Sequence, residues 1–90
     1  MKLVKISADW CKSCKNVSNV YEILKEEFCD LKYEEVDYDT IINKQEITKI
    51  PMFILYDNNK EVSRIISTSP GEIFTWIKDY RDKYEPLDSF

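Results

Sequence analysis

The stretch Ala8-Asp9-Trp10-Cys11-Lys12-Ser13-Cys14-Lys15, ADWCKSCK, decides how the rest of the chain is read. Before it, apolar Leu3, Val4 and Ile6 interleave with Lys5 and Ser7, which predicts a short, mostly buried strand from Lys2 to Ala8. After it, Val17, Val20, Tyr21, Leu24 and Phe28 recur at helical spacing, which predicts an amphipathic helix from Cys11 to about Phe28. Both cysteines then fall in its first turn and share one face, with Cβ atoms about 5–6 Å apart, so the pair can close and open a disulfide without refolding the domain.

A helix start also offers unpaired N–H groups and the positive end of the macrodipole, which favour a thiolate. Motifs of this kind lower a thiol pKa from about 8.5 to about 7, and Lys12 and Lys15 push the same way while Asp9 opposes them. Cys11 lies nearer the helix terminus and follows Trp10, so it is expected to attack a substrate disulfide. Cys14, a turn deeper, is expected to resolve the mixed disulfide by attacking the Cys11 sulfur.

Metal is the competing use of a cysteine pair. A closed zinc site takes four ligands, and the chain has no His and three Cys in all, so only a site shared between two CxxC pairs of two subunits would remain. Cys29 is expected to point away from the pair as a buried packing residue. An odd cysteine count with no secretory segment at Met1-Lys2 does not read as a disulfide framework, and the expected compartment is the cytoplasm.

Further along, Tyr33 to Tyr38 predicts a second strand, and Asp39 or Thr40 can cap a short helix through Ile41, Ile42 and Ile47. Pro51 introduces a third strand, Met52 to Tyr56. Asp57-Asn58-Asn59 then forms a hairpin turn into a fourth, Val62 to Ile66, because asparagine tolerates positive φ. Ser69-Pro70-Gly71-Glu72 reads as a capping box opening a last helix whose stripe is Ile73, Phe74, Ile77, Tyr80 and Tyr84, with Trp76 as packing or surface cover. Pro86 ends it and leaves a short tail, 85–90. The order β-α-β-α-β-β-α implies one α/β domain over residues 1–90, with its core about 2–84: a four-stranded mixed sheet with helices on both faces.

Composition excludes other classes. Thirteen basic residues against seventeen acidic, a net charge of −4 with no basic block, lack the clustered Lys and Arg that nucleic-acid phosphates require. No apolar stretch approaches the length of a membrane span. Glu34, Glu35, Asp37 and Asp39 are split between two faces by strand alternation and read as strand end and cap, not as a cation site.

Together, ADWCKSCK and the later IPMFILY resemble the thioredoxin family, in which a W-C-x-x-C-K stretch follows an apolar strand and an Ile-Pro begins the next core strand. The resemblance runs from Leu3 to about Tyr84 and implies a thioredoxin fold lacking the N-terminal strand and helix of longer thioredoxins. It implies that Pro51 is cis and that Ile50 offers a backbone edge to an extended substrate peptide. Trp10, Lys12 and Ser13 would border the same substrate site. A proline at the start of a strand is the simpler local reading. The resemblance further implies reduction of protein disulfides, such as that of a reductase that ends its cycle as a disulfide. A thioredoxin reductase or glutathione would supply electrons to a monomer with no cofactor beyond the Cys11–Cys14 couple.

The chain departs from the family at two places. Lys12-Ser13 replaces the usual Gly-Pro between the cysteines. The family also places a buried acid on the strand before the cysteines and a Lys on the adjacent strand, whereas here Lys5 and Glu35 take those positions. Either Lys5 and Glu35 pair beneath the cysteines, with Lys5 tuning Cys14, or they are exposed strand charges. A glutaredoxin-like protein is the nearest alternative, although the glutaredoxin Gly-Gly before the last helix is replaced by STSPGE. A redox-inert binding module using Trp10, Ile50 and Pro51 is the other.

Overall fold

The computed structural model describes residues 1–42, 45 and 47–84, with side chains through Asp82. Strand β1 (Lys2–Ser7) runs parallel to β2 (Lys32–Asp37) and antiparallel to β3 (Met52–Asp57). β3 in turn pairs antiparallel with β4 (Lys60–Ile66), giving the sheet order β2-β1-β3-β4. The two central strands are buried on both faces, which is why KLVKIS and MFILYD read as nearly continuous apolar runs.

Alternation along the strands sends Leu3, Phe53 and Leu55 to one face and Val4, Ile6, Met52 and Ile54 to the other. The first face carries the larger core. Helices α1 (Val20–Glu27) and α2 (Pro70–Tyr84) lay Val20, Leu24, Ile73 and Ile77 against it, all fully buried. Each such side chain contributes roughly 1.5–3 kcal/mol through burial. The second face is covered by the chain between β2 and β3, through Tyr38, Ile41, Ile47 and Ile50.

Both α-helices therefore share one face. Of the helix expected through Ile41, Ile42 and Ile47, the structure describes extended backbone at Ile41, a fully exposed Ile42 and 3₁₀ backbone at Gln45, with a 3₁₀ turn at Tyr38–Thr40 ahead of them; residues 43, 44 and 46 lie outside the described residues. Asp37, not Asp39 or Thr40, caps the Tyr38–Thr40 turn, accepting from the Asp39 N–H at 3.0 Å. Ile41 and Ile47 bury apolar surface against the second face, so their spacing carries a packing signal.

The first helix is also broken. A 3₁₀ helix, Ser13–Val17, precedes α1, and Cys11 lies ahead of it. Ser18 and Asn19 separate the two elements, with Asn19 at φ −98° and ψ 3°. Short polar side chains compete with the backbone for hydrogen bonds, so Ser-Asn is a weak point in a helical run. Val17, Val20 and Leu24 remain on the core side across the break. At the far end Phe28 and Leu31 take the buried positions, and Cys29 between them is exposed, correcting the expectation that it packs inside.

The remaining signals are close to expectation. Asn58 and Asn59 carry φ of 56° and 66° in the β3–β4 hairpin. Ser69 Oγ accepts from the Glu72 N–H at 3.3 Å, while the return half of the capping box runs through Ser67. That hydroxyl accepts from the Ser69 N–H at 3.1 Å and donates to Glu72 Oε1 at 2.5 Å. Trp76 packs on the larger core and donates its indole N–H to Ser63 Oγ at 2.9 Å. Among the described residues no helix is long and apolar enough to cross a membrane. The side chain of Tyr84, Pro86 and the tail 85–90 lie outside the described residues.

Candidate active site

Where β1 ends, the Cys11 N–H donates to the Ala8 carbonyl at 3.1 Å and closes a tight turn that exposes Trp10. Cys11 and Cys14 are joined by a disulfide, with Cα atoms 5.3 Å apart. The Cys14 N–H points at Cys11 Sγ at 3.2 Å, and Ser13 Oγ lies 3.4 Å from the same sulfur. A donor aimed at sulfur favours its anionic form. The five-residue 3₁₀ helix supplies this one directed N–H in place of the long macrodipole that the sequence led us to expect.

Burial does not separate the two cysteines, since Cys11 is 7% exposed and Cys14 6%. Access does. An open groove of about 550 Å³ beside the pair is lined by Cys11 and not by Cys14. Its lining comes from Trp10, Lys12 and Ser13 beside the pair and from Tyr38, Ile47, Thr48, Lys49 and Ile50 further along the chain. The Ile50–Pro51 peptide is cis, and the Ile50 carbonyl oxygen lies 3.9 Å from Cys11 Sγ. Pro51 itself is fully buried.

Sequence reading brought Ile50 to the site but not Tyr38, Thr48 or Lys49. Tyr38 meets Trp10 edge to face at 6.0 Å between centroids, and the Trp10 indole N–H donates to both carboxylate oxygens of Asp39, at 3.1 and 3.3 Å. The one available signal was Trp10 itself, because an indole on a surface turn needs an acceptor and an acid after β2 is within reach of β1 in a parallel pair.

Below the cysteines, Lys5 is buried at 4% exposure, which removes the reading of Lys5 as an exposed strand charge. Its Nζ lies 2.8 Å from Glu35 Oε2 and 3.5 Å from the carbonyl of Val17, and stands 5.5 Å over the Tyr21 ring. Glu35 keeps water contact, with its side chain 57% exposed. Lys5 thus ties β1 to β2 and to the 3₁₀ helix that carries Cys14. The Tyr21 hydroxyl donates to the Glu34 carbonyl at 2.7 Å and lies 3.2 Å from that of Leu3. Burial, and then the Glu35 charge, push its pKa well above the usual tyrosine range.

Residues 1–79 match the family model Thioredoxin. The chain belongs to the thioredoxin family. It is 30% identical to thioredoxin-2 of Saccharomyces cerevisiae over 74 residues, 79% of this chain and 71% of that protein. The thioredoxin of Trypanosoma brucei brucei superimposes with a TM-score of 0.78 at 26% identity, over 90% of this chain and 74% of that one. The oxidised thioredoxin of Plasmodium falciparum gives 0.76 at 26% identity, over 88% and 79%. With the family, the fold and a closed Cys11–Cys14 pair together, this thioredoxin-family chain is a thiol-disulfide oxidoreductase. Thioredoxins act generally on protein disulfides and take electrons from a thioredoxin reductase.

Proposed function

We propose that this chain donates electrons to protein disulfides with Cys11 as the attacking residue and Cys14 as the resolving one. Access to Cys11 alone from the groove carries the assignment. The reduced Cys11 thiolate forms a bond to one sulfur of the substrate disulfide, whose S–S bond breaks. The other substrate sulfur leaves as a thiolate and takes up a proton. Cys14, having released its proton, then bonds to Cys11 Sγ. The Cys11–substrate bond breaks, the second substrate thiol is freed, and the chain is left with the Cys11–Cys14 disulfide. Two electrons have passed to the substrate, and a dithiol donor of the thioredoxin-reductase type returns them in a reducing compartment such as the cytoplasm.

Ile50 holds the peptide backbone beside Cys11, Trp10, Lys12 and Ser13 complete the contact surface, and buried Pro51 acts through its cis bond, which presents Ile50. Lys5 acts through position. Its buried ammonium, held by Glu35 and Val17, favours negative charge on Cys14 when the disulfide opens.

The test is turnover of a protein disulfide with either thioredoxin reductase or glutathione as electron source, using wild type, Cys14→Ser and Cys11→Ser. Reductase-driven turnover by wild type is expected, with a trapped mixed disulfide in Cys14→Ser and none in Cys11→Ser. Trapping by Cys11→Ser instead would reverse the two roles. Turnover with glutathione alone would make the protein glutaredoxin-like, and turnover with neither would overturn the reading.

A further inference from the structure

We infer that the groove beside Cys11 selects disulfides set in acidic peptide segments, with Lys12 and Lys49 reading the charge; the inference rests on the disulfide-reducing role proposed above. The chain as a whole carries a net charge of −4, so a stretch of surface taken at random offers more carboxylates than ammoniums. Among the described residues the groove lining is the reverse, with Lys12 and Lys49 and no carboxylate.

Among the described residues the nearby acids lie outside the lining, and Asp39 borders it through Trp10. Asp39 has both oxygens on the Trp10 indole N–H. Asp9, Glu35 and Asp37 line a separate pocket at the carboxyl ends of β1 and β2. Lys12 and Lys49 reach the lining from two separate parts of the chain, one in the turn between the cysteines and the other two positions before Pro51. Both are exposed, and among the described residues neither has a carboxylate within ion-pair distance. A peptide laid across Cys11 along Ile50 therefore meets two ammoniums that, among the described residues, have no carboxylate partner. Acidic side chains there gain attraction and lysines meet like charge, an effect that acts on encounter and binding and that salt screens.

The experiment uses three peptides, each closed by one disulfide and identical except for flanking pairs of Glu, Gln or Lys. The expected result at low ionic strength is reduction of the Glu peptide about tenfold faster than the Lys peptide, with Gln between. Near 1 M salt, where the screening length is about 3 Å, the three rates should fall within about twofold of one another. The double variant Lys12→Glu/Lys49→Glu should reverse the order. The salt series on wild type is a second reading that does not depend on the variant folding.

Equal rates on all three peptides at low salt overturn the inference and leave the disulfide-reducing role intact. So does a preference that survives both high salt and the charge reversal. If wild type, freshly reduced, opens none of the peptides, the proposed function fails and takes the inference with it.

Discussion

Lys5 on β1 stands opposite Glu35 on β2 in the parallel register, and its Nζ lies 2.8 Å from Glu35 Oε2 and 3.5 Å from the Val17 carbonyl. Lys5→Met keeps the apolar stem and removes the ammonium. Because Glu35 remains in water contact when the lysine goes, stability should change by no more than about 1 kcal/mol in a denaturant titration. Release of the second substrate thiol from a preformed Cys11 mixed disulfide should slow several-fold, and its pH profile should move to higher pH, in rapid-mixing experiments. Glu35→Gln leaves the ammonium with weaker neutral acceptors and should cost about 1–2 kcal/mol, less than a fully buried pair because water reaches the site. An unchanged release step and pH profile in Lys5→Met would leave the lysine with a purely structural role.

Alkaline pH should loosen the fold through two tyrosines. Burial, followed by the Asp30 charge, raises Tyr33 to about 12, and burial raises Tyr21 further. A phenol whose folded pKa exceeds its unfolded one contributes stability that is complete below the unfolded value, about 10, and is lost as pH climbs through the folded one. Urea midpoints should therefore fall between about pH 9 and about pH 12. Tyr21→Phe should flatten that decline at a cost of about 1–2 kcal/mol at neutral pH, because the Glu34 carbonyl loses its 2.7 Å partner.

On the acid side the linkage has the opposite sign. Burial raises the Asp30 pKa, but the Arg81 hydrogen bond at 2.8 Å, a backbone hydrogen bond and the nearby positive charges of Arg81 and the N-terminus together outweigh it, and the carboxyl sits below its usual range. Its contribution is present above the unfolded pKa of about 3.9 and lost as pH falls through the folded value. The Asp30 side chain is 63% exposed, so the loss should amount to about 0.5 kcal/mol or less. Asp30→Asn should remove the part of the acid-induced decline that Arg81→Gln also removes, as measured by a double-mutant cycle across that pH range.

The Trp10–Asp39 contact sets the shape of one groove wall. In a Trp76→Phe background, which leaves Trp10 as the single tryptophan of the chain's two, Asp39→Ala should shift and broaden the indole emission. KM for a protein disulfide should rise about three- to tenfold with little change in kcat, since the contact orders the binding surface and touches neither sulfur. Asp39→Asn retains one acceptor oxygen and should recover most of the loss.

Much of this site was legible along the chain because its parts are local. Cys11 and Cys14 meet through one turn, and the Asn58-Asn59 hairpin and the Ser69 cap depend on neighbouring backbone. The alternation of Leu3, Val4 and Ile6 forces a strand whatever lies around it. Periodicity misled where a polar Ser18-Asn19 pair interrupted a helical stripe.

Cys29 failed for a related reason. Its type suggested burial, but Phe28 and Leu31 occupy the inward positions at that corner. Composition gave the net charge and could not say where the charges fall. By itself the sequence determined the succession of strands along the chain, the redox pair and its family, because those follow from residue type and short spacing, while the order β2-β1-β3-β4 within the sheet came from the structure. Tertiary structure alone decided that Lys5 is buried and paired, that Asp39 holds Trp10, and that Lys49 joins Lys12 in the groove lining. Each joins residues far apart in the chain, and sheet register and the path of the chain to Pro51, not local preference, bring them together.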